Sequence, residues 1–461
     1  MRTLAVLFGV LMATGAAAEP ARASDPDALA KAVAPFIDEQ TLAVVHADLT
    51  RIDPNAAFGR LAKLLGPLGP REAAELPGVR GVVCQLAADL LKAGARDAFL
   101  VVSLADVPAE PVLIVIPLAP GANERALRGL LYSGRADGPT ARPDNPPGRG
   151  HARTQVRVVR NAVVRCEWPI LQRVLKMKPH ARPELAKAFA AAGDTAVHGL
   201  LLPTADNRRV IEEMMPELPK EIGGGPSTAL TRGLLWAAVG VNAPPKPSLR
   251  LVIQSADADS AKAMAGVLGG VYRMLATLDE ARRVVPQIDK LLAALTPRVA
   301  RDRLVLDLPP EKLDALLDGP VASAVRAERD RQRAHASSTH LRVIGAAVNT
   351  YKGRHDGTYP PDLAALIREG ILGKRLLEGP RTGKRGYVYI RPPAGLGAEE
   401  AGRTPMVYED PATHGRKQTH VLFADRHVER MTVDERFGDL VEQAKAASAK
   451  AYAPQREKIR D

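Results

Sequence analysis

The stretch LRVIGAAVNTYKGRHDGTYPPDLAALIREGIL, residues 341–372, decides the fold of the last third of this 461-residue chain. Its apolar residues recur every three or four positions, which is the spacing of one helix face: Leu341, Ile344, Val348 and Tyr351. Gly357 follows, and glycine readily adopts the left-handed conformation that ends a helix. We therefore predict one long helix over residues 321–355, whose first part is so polar that it must be solvated or a connector.

Two shorter segments follow this helix, GYVYI at residues 386–390 and HVLFADRHVERM at residues 420–431. The residues of the three parts that form a recognisable pattern are Tyr351, Gly357, Tyr359, Pro360, Leu363, Leu366, Gly386, Tyr387, Tyr389, Leu422, Phe423, Ala424, Asp425, His427 and Val428. In this pattern the chain resembles the soluble domain of bacterial type II secretion pseudopilins and pilin-like domains of secreted bacterial proteins. The resemblance covers roughly residues 321–445, under a third of the chain. It implies a long helix packed on a small antiparallel sheet, and a role in assembly or docking.

Three features depart from the family pattern. The family's Asp-Gly hairpin turn is Asp425–Arg426 here, so the turn lacks its glycine. The helix half at residues 326–340 is polar where a pseudopilin has an apolar assembly segment, so we expect no pilus-like polymerisation. The loop that binds calcium in major pseudopilins offers only Glu409 and Asp410 among basic neighbours, so no calcium site is expected.

An internal repeat dominates residues 38–317. Three pairs of segments occur in one order, and they begin at residues 38 and 192, 97 and 232, and 154 and 296. The first pair reads as a strand and a helix capped by Asp53 or Asp206, and the second as two strands and a helix. The third reads as a hairpin that turns at Arg160–Asn161 or Arg301–Asp302.

These patterns predict an α+β protein with two tandem homologous units followed by a pilin-like domain. The predicted boundaries are 24–185 for the first repeat, 186–320 for the second and 321–461 for the long helix with its pilin-like domain. We expect each repeat to be an antiparallel sheet with helices on one face.

Residues 1–23 read as a secretory signal peptide. Arg2 precedes an apolar run over residues 4–12, and small residues permit cleavage after Ala18 or after Ala23. The run is shorter than the about 20 residues of a membrane helix, so we expect an exported mature chain without a transmembrane span. The periplasm, the cell surface and the extracellular space all remain open as its destination.

Composition favours surface contacts over nucleic-acid recognition. The net charge is +12, yet the basic residues alternate with acidic ones and aromatic residues make up only 4%. This argues against nucleic acid as a partner and leaves envelope or secretion-associated proteins, or anionic surface polymers at low salt. Cys84 and Cys166 either form one disulfide or are buried thiols.

Catalytic patterns are weak, and no cofactor is expected. His414, His420 and His427 are interpreted as surface histidines, because His420 and His427 should face opposite sides of a sheet. His46 and Asp48 share one face of a predicted strand and could pair, but their counterparts in the repeat, Gly199 and Leu201, do not support an active site.

The sequence therefore predicts an exported, non-catalytic protein of protein–protein or cell-envelope interaction, with a docking domain at its end. The alternative is a ligand-binding protein or hydrolase whose site lies in a cleft between the two repeats.

Overall fold

The computed structural model describes residues 25–66, 70–107, 112–134, 154–380, 386–414 and 417–453. The segment predicted as a signal peptide, residues 1–23, lies outside this part of the chain. The fold is mixed helix and antiparallel sheet, which confirms the predicted α+β class. The described residues separate into a large unit, within residues 25–66 and 77–325, and a small unit, within residues 70–76 and 326–453.

The strands of the described residues are β1 Thr41–Asp48, β2 Asp97–Ser103, β3 Leu113–Pro117, β4 Thr154–Val159, β5 Ala162–Glu167, β6 Val197–Leu201, β7 Trp236–Asn242, β8 Ser248–Gln254, β9 Arg298–Ala300, β10 Arg303–Leu308, β11 Tyr387–Tyr389, β12 Pro405–Glu409, β13 Gln418–Phe423 and β14 Val428–Thr432.

The α-helices are α1 Pro26–Val33, α2 Pro54–Leu65, α3 Pro70–Lys92, α4 Glu124–Ser133, α5 Trp168–Lys176, α6 Glu184–Ala192, α7 Ala205–Met214, α8 Thr228–Thr231, α9 Ala258–Thr277, α10 Asp279–Val284, α11 Ile288–Ala294, α12 Pro310–Leu316, α13 Ala322–Arg354, α14 Leu363–Arg368, α15 Ala398–Ala401, α16 Pro411–His414 and α17 Glu435–Tyr452.

Ten strands of the large unit form one antiparallel sheet in the order β4-β5-β3-β2-β1-β6-β7-β8-β10-β9. Outward from the centre, one half runs β1, β2, β3, β5, β4 and the other runs β6, β7, β8, β10, β9. The two halves meet where β1 pairs with β6, from Ala43 opposite Leu201 to Ala47 opposite Val197. The two halves are thus joined through β1 and β6 into one continuous sheet.

Both outer hairpins turn at the residues that the sequence predicts. β4 and β5 are joined by Arg160 and Asn161, with φ of 51° and 61°, which suits a two-residue hairpin with right-handed strand twist. β9 and β10 are joined by Arg301, at φ 58°, and Asp302. The hairpin prediction is therefore confirmed at both positions.

Helices cover both faces of this sheet, so the expectation of helices on one face is wrong. In β1, Val44 belongs to a core with α1, α5 and α6, whereas Ala47 belongs to a core with α3 and α4. In β8, Val252 joins the first core and Ile253 packs against α9 on the opposite side. Alternate residues of a strand point to opposite faces, so both faces are buried.

One predicted helix cap is confirmed and one is wrong. The Asp53 carboxylate accepts the backbone N–H of Asn55 at the start of α2, as expected. At α7 the cap is Thr204, whose hydroxyl accepts the Asn207 N–H while the Asn207 side chain bonds back to Thr204. Asp206 instead lies in the first turn, where its charge is favourable next to the helix N-terminus.

The small unit contains a four-stranded antiparallel sheet in the order β11-β12-β13-β14. The apolar face of α13 packs on one side of it, and α17 packs on the other through Phe437, Val441 and Ala444. The predicted long helix is confirmed as α13, with its predicted face buried. Most of the polar first part of α13 is exposed or half-buried, although Ser337 is fully buried.

Gly240 shows how closely helix and sheet approach in the large unit. It lies on β7 directly opposite His198, and a Cβ at this position would stand 2.2 Å from the carbonyl oxygen of Ala192, the last residue of α6. Gly240→Ala is therefore expected to lower the free energy of unfolding by about 1–3 kcal/mol through overpacking.

Urea unfolding followed by tryptophan fluorescence measures this effect, because Trp168 and Trp236, the two tryptophans of the chain, both lie in the large unit. Gly266→Ala is the matched control, since its Cβ would meet no atom within 4 Å and it lies inside α9. That control should gain up to about 1 kcal/mol. Equal stabilities for the two variants would contradict the prediction.

Candidate functional site

A chain of buried polar side chains crosses the β1–β6 junction. His46 Nδ1 lies 3.0 Å from His198 Nδ1, and His46 Nε2 lies 2.8 Å from Asp97 Oδ1 on β2. On the far side, His198 Nε2 lies 2.9 Å from the carbonyl oxygen of Gly193. The two rings are stacked at 5.3 Å between centroids and both touch Phe189 of α6. Both histidines are essentially inaccessible, and only Asp97 reaches solvent.

The strand register explains why these groups meet. His46 and His198 are direct partners in the β1–β6 ladder, so their side chains emerge side by side on one face of the sheet. Asp97 begins β2, the neighbour of β1 on its other side. Strand pairing alone therefore brings together residues that are 51 and 152 positions apart in sequence.

Burial is the main cause that lowers the pKa of His198 from 6.5 to about 4; the hydrogen bond to the Gly193 carbonyl opposes this shift, and the charges of His46 and Arg51 add to it. His198 is therefore neutral at pH 7. Its Nε2 must carry the proton, because the Gly193 carbonyl can only accept, and its Nδ1 is left as an acceptor.

His46 links three strands through its two ring nitrogens. Its Nδ1 lies against the acceptor Nδ1 of His198, and its Nε2 lies against the Asp97 carboxylate, which can only accept. The arrangement therefore ties β1 to β6 on one side and to β2 on the other.

The sequence allowed a polar pair of His46 with Asp48 and did not support an active site there; the structure gives His46 other partners. Asp48 does not bind His46: its carboxylate accepts the backbone N–H and the hydroxyl of Thr50, within the turn that follows β1. His198 and Asp97 were missed because nothing in the local sequence connects them to His46. The available signal was a histidine near the same place in both members of the first repeated pair.

The family-motif residues of the small unit lie in the two apolar cores of this unit and in the turns beside them. One apolar core holds Tyr351, Tyr359, Leu363, Leu366, Tyr387 and Leu422, with Tyr389 packed at its side. Tyr389 also donates a 2.8 Å hydrogen bond to the carbonyl of Pro360, which ties the returning chain to β11. Gly386 accepts from the Asp410 N–H, and Gly357 has a φ of 79° just after α13. Phe423 belongs to the opposite core, under α17.

Tyr387 also closes a polar cluster beneath α13. Its hydroxyl lies 3.5 Å from Ser337 Oγ and 3.3 Å from His340 Nδ1, while Ser337 donates to the buried Glu409 at 2.9 Å. Burial raises the pKa of Tyr387 and lowers the pKa of His340. Both groups are thus neutral at pH 7, and the cluster joins α13 to β11 and β12.

Asp425 and His427 form the turn between β13 and β14. His427 Nδ1 lies 2.6 Å from Asp425 Oδ1, and its ring stacks on Phe423 at 4.3 Å. Arg426 has a φ of 82°, so the position of the family's glycine needs a left-handed backbone here too. The Phe423 N–H donates to the His427 carbonyl, which makes the loop three residues long, wider than a two-residue turn.

The described part of the chain offers neither a cluster of metal-binding side chains nor a reactive buried thiol. No group of three or more His, Cys, Asp or Glu side chains there could hold a metal ion. His420 lies 3.9 Å from Glu409, apart from the Asp425–His427 pair, and the side chain of His414 lies outside the described atoms. Cys84 and Cys166 are free thiols, and burial raises the pKa of Cys166 to about 12, which makes it unreactive.

The pKa of His198 predicts acid-dependent stability of the large unit. The unfolded state takes up the proton near pH 6.5 and the folded state only near pH 4, so unfolding binds an extra proton in that window. The contribution of His198 to stability should be constant above pH 6.5 and fall by up to about 1.4 kcal/mol per pH unit below it, about 3 kcal/mol in all.

Urea midpoints read by tryptophan fluorescence from pH 7.5 to 4 would measure this dependence. His198→Gln should be less stable at pH 7 and have a shallower slope. His180→Gln, at an exposed position of the large unit, should keep the native slope. An unchanged slope in His198→Gln would show that this histidine does not carry the effect.

The turn at Arg426 predicts a stabilising substitution. Arg426→Gly should raise the stability of the β13–β14 hairpin by about 1 kcal/mol, because a left-handed conformation strains any residue with a Cβ. Hydrogen exchange over residues 417–432 provides the measurement. Arg430→Gly, in β14 without a positive φ, should instead lose up to about 1 kcal/mol. Faster exchange in Arg426→Gly would refute the proposed strain.

No described helix has the length and apolar character needed to cross a membrane. Compared with known proteins, the chain matches no family model, no curated protein and no solved structure.

Proposed function

We propose that the protein is exported and acts without catalysis by binding other proteins of the cell envelope, with the small unit as a pseudopilin-like docking module. The observation that carries the proposal is the apolar core that six of the motif residues share. The buried face of α13 packs on β11–β13 through Tyr351, Tyr387 and Leu422. This is the arrangement of helix and sheet that the resemblance implies.

The two halves of the large unit support an origin by duplication. Strands that correspond in the repeated sequence occupy corresponding places on either side of the β1–β6 pair. The outermost hairpins also share the same two-residue turn position. On this proposal the duplicated sheet and the docking module are separate units of one chain.

A ligand site between the two repeats is the weaker candidate. The strands that would border such a cleft, β1 and β6, are hydrogen-bonded neighbours. The four ring nitrogens at the junction all have protein partners within 3.0 Å, so they are already engaged.

The outer face of α13 is the surface of the small unit that best suits docking. Because α13 and α17 cover the two sides of the sheet, the sheet faces are occupied. The exposed residues opposite the buried face of α13 are Arg342, Val343, Ala346, Asn349 and Thr350. They combine small, apolar and polar groups with one charge.

Site-specific photocross-linking of the full-length protein in its native envelope tests the proposal. A photoreactive residue at Val343 should yield discrete protein adducts. The same residue at Lys246, an exposed position of the large unit, is the control and should not yield them. Identical adducts from both positions, or none from Val343, would contradict a docking role for the small unit.

A further inference from the structure

The outer edge of β10 is covered along only half its length. β9 pairs with β10 from Arg303 to Val305, whereas β8 pairs with the other side of β10 along its whole length, to Leu308. In the other half of the sheet, β4 covers β5 from Ala162 to Glu167 without a gap. The second half therefore ends in an incompletely covered strand.

Asp307 presents its backbone N–H and C=O to the uncovered edge. In a two-residue hairpin the pair that flanks the turn is hydrogen-bonded, so Arg303 points toward β9. The Ser255 N–H bonds to the Asp302 carbonyl, so residue 302 points the other way, toward β8. Because the direction alternates along a strand, residue 305 also points toward β9, and residue 307 points to the edge beyond it.

A groove of about 890 Å³ lies along this part of β10, between α11 and α12. Its apolar lining includes Leu306 and Leu316. This volume is in the range of sites that hold small ligands or short peptide segments. We refer to it as the β10 groove.

The charges around the β10 groove are mostly positive. Lys290, Arg298 and Lys312 line it and are exposed, and none of them forms a salt bridge within the described part of the chain. The one carboxylate among the lining residues, Asp307, already lies 3.1 Å from Arg250. An occupant with negative charge would therefore be favoured.

We propose that the β10 groove binds an extended acidic segment of a partner protein, which adds to the sheet as a strand beside residues 306–308. Backbone groups of the segment would bond Asp307, alternate apolar side chains would fill the groove, and the acidic ones would face Lys290, Arg298 and Lys312. This site belongs to the large unit and does not depend on the docking role of the small unit.

Fluorescence anisotropy on the full-length protein tests the charge requirement. The probe is a fluorescein-labelled seven-residue peptide in which Asp or Glu alternates with Val. The triple variant Lys290→Glu, Arg298→Glu, Lys312→Glu should weaken binding at least tenfold. The control Arg125→Glu, Lys187→Glu, Lys246→Glu changes the net charge equally at exposed positions outside the groove lining and should bind nearly as the native protein does.

Two further measurements test strand addition itself. Peptide binding should slow hydrogen exchange in residues 306–308. N-methylation of every second amide gives two peptides, one blocked at the odd-numbered and one at the even-numbered amides. One of these two peptides should lose binding, because only one set of amides faces β10. Equal weakening by both triple variants, equal binding of both N-methylated peptides and the parent, or no binding of the parent peptide would overturn the proposal.

Discussion

The pairing of β1 with β6 is the constraint on which the large unit depends. Only five residue pairs, from Ala43–Leu201 to Ala47–Val197, turn two five-stranded sets into one ten-stranded sheet. Arg182 holds one end of this junction by donating to the carbonyls of Thr41 and Leu202. Arg51 holds the other end through Asp194 and Asn242. Unpaired, β1 and β6 would each expose an edge open to association.

The buried histidines make this short junction specific. A slip of two residues along β6 would keep the same face of each strand buried, so hydrophobic burial alone would hardly oppose it. The slip would place His46 opposite Leu200 or Ala196 and leave its Nδ1 without His198. A buried polar group that loses its partner costs about 1–3 kcal/mol, so the polar pair opposes a register that apolar contacts tolerate. The same burial is what makes His198 hard to protonate.

Local patterns predicted the local structure well. The spacing from Leu341 to Tyr351 identified the buried face of α13, and the Arg160–Asn161 and Arg301–Asp302 turns were found from sequence alone. The assignment of helices to one face of the sheet failed for a physical reason. In β8, Arg250 and Gln254 are polar, yet Val252, which lies between them on the same face, is buried in the core under α6.

The candidate site was less accessible to prediction, because strand pairing between distant segments assembles it. His46 is part of the candidate site only because it contacts His198, 152 positions away, and Asp97, and no periodicity in the sequence encodes either contact.

The lengths of the edge strands also depend on long-range contacts and not on the local sequence pattern alone. β4 and β9 follow similar local patterns, yet β4 runs for six residues and β9 for three. Contacts at the centre of the sheet constrain both halves at once, whereas an outer edge constrains only its own half. The edges are therefore where two halves with the same strand order can differ without disturbing the junction that joins them.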